Sequence, residues 1–102
     1  MLALRPSCEH CDKALPPDSK EAMICSYECT FCESCVWEIL KNVCPNCGGG
    51  FWHRPVRPSK PRKGNNWLGA HPASDRVVHK PIDRHAHERF AATLEGISPY
   101  ER

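Results

Sequence analysis

Residues 25–47 read CSYECTFCESCVWEILKNVCPNC, and this stretch decides the fold. It holds six of the eight cysteines in the 102-residue chain. Cys8 and Cys11 stand just upstream, so all eight fall within forty residues. Their spacing is C-x2-C, x13, C-x3-C, x2, C-x2-C, x8, C-x2-C. Pairs this close let two thiolates grip one ion, as structural zinc sites do. Four thiolates close a tetrahedral zinc site, and eight close two with none left over. A catalytic zinc keeps an open position, so the ligand count predicts two structural Zn²⁺ ions and no enzyme.

Four disulfides are the competing use of eight cysteines. The N-terminus, MLALRPSCEHC, has no basic region followed by an apolar run, which argues against a signal peptide. No apolar stretch approaches the length of a membrane span. A reducing, cytoplasmic location is therefore expected, where thiols stay free for metal. Size agrees with that choice. The cysteine-bearing half is about fifty residues, too few to bury a self-sufficient core without a metal, a disulfide or a partner.

Outward from the cysteines, the local signals are short. Pro16-Pro17-Asp18-Ser19 marks a turn. Ala22-Met23-Ile24 reads as a strand leading into Cys25. Cys25 to Cys35 is too dense in cysteine for regular structure. Val36, Ile39, Leu40 and Val43 then recur at i, i+3, i+4 and i+7, which predicts a helix over about 35–42 with Lys41 at its negative pole. Phe51 and Trp52 begin a strand folding back on the core. The module is assigned to residues 1–53.

At Arg54 the composition shifts. RPVRPSKPRKG carries three prolines, five basic residues and no acid, which predicts an extended, solvated linker over 54–66. Residues 67–102 form an irregular tail with one short helix over about 83–95, Asp83 as N-cap and Gly96 as C-cap. Charge divides the same way. Residues 1–50 sum to −3 and residues 51–102 to +5. A zinc ion on four thiolates has a local charge of −2. With two such ions the front half is near −7 and the chain near −2.

Which cysteines share an ion is open on spacing alone. A sequential pairing and an interleaved one both fit the two residues between Cys29 and Cys32. ECTFCESCVWEILKNVCPNC is similar to the second half of a RING finger. Phe31 precedes the third pair, Val36, Ile39 and Leu40 follow it, and Cys44-Pro45-x-Cys47 closes the motif. The resemblance covers about residues 8–47. It implies a small zinc-stabilised α+β fold, a RING-like or treble-clef cross-brace with two four-cysteine sites, a short β-hairpin, one short helix and an extended proline-rich tail. It also implies the pairing: Cys8, Cys11, Cys32 and Cys35 on one ion, and Cys25, Cys29, Cys44 and Cys47 on the other. Cys29 stands where most RING fingers have histidine. LRPSCEHC, LPPDS, ICSYECTFC, CPNCGG, RPVRP and PASDRV further resemble a bacterial cysteine-rich family known as domain of unknown function 1272.

The RING resemblance does not extend to ligase adaptors. Those present an aliphatic residue in the first knuckle and often a basic one after the last; here Glu9 and His10, and Gly48, stand there. The expected role is a protein-interaction or regulatory adaptor, with an exposed Trp37 as anchor. The rival is nucleic-acid binding by Arg54, Arg57, Lys60, Arg62 and Lys63, flanked by Trp52 and Trp67. The plain reading of the same run is a solvated linker, or a basic strap over the chain's own acidic module. His85-x-His87 lacks a third ligand and reads as helix surface.

Overall fold

The computed structural model describes residues 1–102. Its regular centre is a three-stranded antiparallel sheet in the order β2-β1-β3. Strand β1 is Ala22–Ile24, β2 is Thr30–Cys32 and β3 is Trp52–His53. Ala22, Met23 and Ile24 face Cys32, Phe31 and Thr30. Met23 and Ile24 also face His53 and Trp52 on the other side. Strand β2 corrects the expectation of irregular chain before Cys35. The 25–29 loop reverses the chain between two cysteines, with Glu28 left-handed at φ 66° and its N–H on the Cys25 carbonyl at 3.0 Å. That reversal delivers Thr30–Cys32 onto β1 in register.

The helix after Cys35 is also shorter than its periodicity predicts. It is a single π-helical turn, Cys35–Ile39, closed by the Leu40 N–H on the Cys35 carbonyl at 2.9 Å. Lys41 and Asn42 then turn left-handed, at φ 51° and 59°. An ordinary helix running on to residue 42 would carry the chain away from the sheet. The left-handed pair returns it, and Val36, Leu40, Val43 and Cys44 all end buried. Lys41 therefore does not cap a helix pole. Asn42, a residue tolerant of this conformation, uses its Oδ1 to accept the Phe51 N–H at 2.8 Å and so ties the turn to β3.

Thirteen residues form the core cluster, and six of them are cysteines: Cys8, Cys25, Cys29, Cys32, Cys35 and Cys44. The apolar remainder is small: Leu15, Ala22, Met23, Phe31, Val36, Leu40 and Phe51. Phe31 and Phe51 meet edge to face, with centroids 5.5 Å apart at 81°. At about 2 kcal/mol per buried large side chain, such a core does not offset the ordering of fifty residues.

Residues 54–102 wrap this centre. A loop closes where the Leu68 N–H meets the Pro58 carbonyl at 2.9 Å. The chain then runs without regular structure to helix α1, Arg84–Ala92. Asp83 is the N-cap and accepts the Ala86 N–H at 3.1 Å. The helix stops three residues before the expected end, giving way to turns at Thr93 and a left-handed Gly96. A 3₁₀ turn at Pro99–Glu101 ends the chain. The molecule measures 46 × 27 × 18 Å with a radius of gyration of 14.6 Å, against about 13 Å for a compact chain of this length. No helix is long and apolar enough to cross a membrane.

Candidate metal centre

The sheet and the π turn bring four thiols from two distant stretches together. Cys8 and Cys11 come from the first knuckle, Cys32 from the end of β2 and Cys35 from the start of the π turn. Their Sγ atoms all lie within 4.8 Å of one another. Cys11 and Cys32 are 3.7 Å apart. A disulfide would need about 2.05 Å, whereas a tetrahedron of zinc–sulfur bonds near 2.3 Å has edges of about 3.8 Å. All eight cysteines are free thiols.

A second group forms at the other end of the sheet. Cys25 follows β1 directly, and Cys44 and Cys47 flank the last knuckle. Their three Sγ atoms also lie within 4.8 Å of one another. The two groups interleave along the chain, since Cys25 falls between Cys11 and Cys32. Cys29 lies outside the second group's limit. Its buried thiol neighbours that of Cys25 and accepts the Asn46 Nδ2–H at 3.4 Å.

Backbone N–H groups point at the sulfurs, as a thiolate requires. Tyr27 donates to Cys25 Sγ at 3.3 Å and Gly49 to Cys47 Sγ at 3.4 Å. The thiols cannot all ionise unaided. Sharing a proton with Cys44, with help from the Tyr27 and Cys29 N–H groups, pulls Cys25 down to about 5. The same sharing, and burial, push Cys44 up. Burial, then Cys32, push Cys35 up. Burial opposes ionisation of Cys11, but the Lys13 N–H and the neighbouring thiols leave it below its usual value. A dication at each cluster removes this conflict, because every sulfur can then be a thiolate. The donor set thus fits metal.

Sequence reasoning missed several residues that frame the clusters. Glu9, noted in the sequence only as a charged residue in the first knuckle, is buried. Its carboxylate accepts from Arg5 at 2.7 Å and from the Thr30 N–H, while its own N–H meets the Thr30 carbonyl at 3.0 Å. It fastens the first knuckle to β2. His10 Nδ1 accepts the Ile82 N–H at 2.9 Å, and burial, then Arg84 and His79, keep its pKa below the ordinary value. His87 is not helix surface. It is buried, with Nε2 on the Val43 carbonyl at 2.9 Å. A helix stripe judged on apolar residues alone gives no sign of it.

The expected interaction residues separate. Trp37 is 49% exposed on the π turn. Arg54 corrects the expectation: it is buried, and its guanidinium donates to the carbonyls of Arg5, Leu15 and Pro16 at 2.9, 3.3 and 3.0 Å. Arg57 donates to the carbonyls of His71 and Leu2, both at 2.7 Å. Both are clasps inside the fold, so the N-terminal part of the run is not a free linker. Lys60, Arg62 and Lys63 are exposed and make no ion pair or side-chain hydrogen bond. Trp67 folds over Gly69, where an added Cβ would come within 2.2 Å of the indole.

The family model described as "Protein of unknown function (DUF1272)" matches residues 1–57, which span every cysteine and both arginine clasps. An uncharacterized protein of Rhizobium meliloti (strain 1021) is 53% identical over 81 residues, covering 79% of this chain and 89% of its own length. No solved structure matches the chain. The chain belongs to the DUF1272 family of proteins of unknown function.

Proposed function

We propose that the cysteine clusters hold two structural Zn²⁺ ions in a RING-like, treble-clef cross-brace, and that the protein is a non-enzymatic interaction or regulatory adaptor of the cytoplasm. One observation carries the reading: two thiol groups that interleave along the chain, Cys8, Cys11, Cys32 and Cys35 against Cys25, Cys44 and Cys47. Cys29 would complete the second site by moving off Asn46. Bound zinc would supply a rigid frame and hold the thiolate charge; with four thiolates per ion it has no place for substrate. Residues 1–53 would be the module, 54–66 a basic segment clasped at Arg54 and Arg57 and presented from Ser59 to Asn66, and 67–102 a strap. Native mass spectrometry of the intact chain tests the frame: two zinc ions per chain are expected, and one ion, or none with four disulfides, would refute it.

For the adaptor role the surface anchor is Trp37, since a half-exposed Trp on a rigid turn is a good interface centre. A tagged chain should retain a protein partner after nuclease treatment and lose it on Trp37→Ala. A second reading is nucleic-acid binding, favoured by the unpaired cations Lys60, Arg62 and Lys63. Capture that disappears on nuclease treatment would select it.

A further inference from the structure

We infer that residues 59–66 are a preformed phosphate-contact loop for nucleic-acid backbone, with Lys60, Arg62 and Lys63 as its cations. The inference rests on the nucleic-acid reading and narrows it to three of the five basic residues. The loop has a built base. Leu68 N–H closes it on the Pro58 carbonyl at 2.9 Å, and Arg57 bolts that base to residues 2 and 71 through two 2.7 Å bonds. Within it, Arg62 N–H meets the Lys60 carbonyl at 2.8 Å and Asn66 N–H the Lys63 carbonyl at 3.3 Å. Gly64 turns left-handed at φ 57° with open space around it. Every residue from 59 to 66 is exposed. Fixed turns keep three cations on one short loop, so less freedom is lost on binding than in a slack linker.

The chemistry of the loop selects the partner. Its residues are Ser59, Lys60, Pro61, Arg62, Lys63, Gly64, Asn65 and Asn66. Beyond three cations it offers two amides, and it has no acid. Protein interfaces are centred on aromatic or aliphatic anchors, and membrane-surface segments insert apolar side chains; apart from the Pro61 ring, the loop has neither. Phosphate contact needs only donors and positive charge. The metallated chain as a whole is near −2, so attraction has to be local. Asp18 of the module lines the same groove as Arg62, but charges more than about 10 Å away are largely screened at ordinary salt, and Lys60 and Lys63 keep the loop's local charge positive.

The test is fluorescence anisotropy of the zinc-loaded full chain with mixed-sequence oligonucleotides, single-stranded and duplex, over a salt series. Three phosphate contacts predict a log–log salt slope that Lys60→Ala/Arg62→Ala/Lys63→Ala reduces by about 2 on single strands or about 3 on duplex. A charge-matched control, Lys20→Ala/Arg76→Ala/Arg89→Ala, should keep most of the slope, and both variants should keep their zinc. Equal losses in the two variants would overturn the loop while leaving nucleic-acid binding standing. Absence of binding at low salt would overturn both. Loop-dependent binding to anionic vesicles but not to oligonucleotides would overturn the assignment of partner.

Discussion

Residues 1–53 and residues 54–102 are held in place by different chemistry. The first region owns nearly all the buried surface and all the thiols. Beyond residue 53 only Arg54 and His87 are buried, and neither is apolar. The second region is laid onto the first by hydrogen bonds. Ser74 N–H meets the Leu4 carbonyl at 3.1 Å, Lys80 N–H the Glu9 carbonyl at 2.7 Å, and Arg102 the carbonyls of Asn42 and Gly48 at 2.8 and 3.2 Å. Phe90 and Leu94 cover Gly48, where a Cβ would meet the Phe90 ring at 3.1 Å and the backbone is left-handed at φ 78°. A region with too little apolar area can fold if a metal replaces the missing core. A region with neither takes its shape from a neighbour, so apart from the Arg54 clasp, which braces the first region itself, dependence should run one way, from front to back.

Chelation is the strongest way to break this comparison. Metal binding supplies on the order of 10 kcal/mol per structural site, so its removal should abolish amide protection in β1 and β2. Protection of α1 should vanish with it, because a nine-residue helix is marginal alone. Hydrogen exchange that keeps α1 protected in the chelated chain would show the dependence to be wrong.

Arg54→Ala should act next. It strands three carbonyls and removes a buried charge-assisted clasp, at a cost of about 3 kcal/mol. The loss should appear in global denaturation, since Arg54 joins residues 5, 15 and 16 across the first region. Arg54→Lys should recover only part of it, because an ammonium lacks the planar fork. An unchanged denaturation midpoint for Arg54→Ala would place this residue with the solvated linker after all.

His87→Ala is the sharper probe of one-way dependence. It removes a bond to Val43 worth about 1 kcal/mol, and the damage should stay in the second region. Exchange in α1 should quicken while the thiolate-to-metal absorption of a cobalt-substituted chain is unchanged. A shifted cobalt spectrum would mean that the strap also braces the second cluster. Asp83→Ala should do less, about 0.5 kcal/mol of helix stability, the low end for an exposed N-cap, again seen only in α1.

The same division explains what was legible in the sequence. Cysteine spacing is a local code, and the grouping of Cys8 and Cys11 with Cys32 and Cys35 follows what the RING resemblance implies. Ala22–Ile24, the strand at Trp52 and the Asp83 cap each rest on short-range signals. Strand β2 escaped because it is three residues long and buried on both faces, so no alternation of polarity can show. The π turn escaped because its limit is set by the return to Cys44 rather than by helix propensity. Arg54 and Arg57 were misread for a plainer reason. A basic residue beside proline looks alike in sequence whether it meets water or a cage of carbonyls. Only tertiary placement separates Arg54 from Arg62.

The strap's attachment to the first knuckle has a consequence for mutational tolerance. At positions 74 and 80 the contact is made by backbone N–H groups, not by the side chains of Ser74 and Lys80. Any residue with an amide hydrogen can make it. Proline alone is barred at those two positions, and Pro81 already holds its predecessor in the extended conformation the latch uses. A saturation library should therefore leave positions 74 and 80 nearly blank except for one forbidden letter, whereas the thiols would admit almost no change.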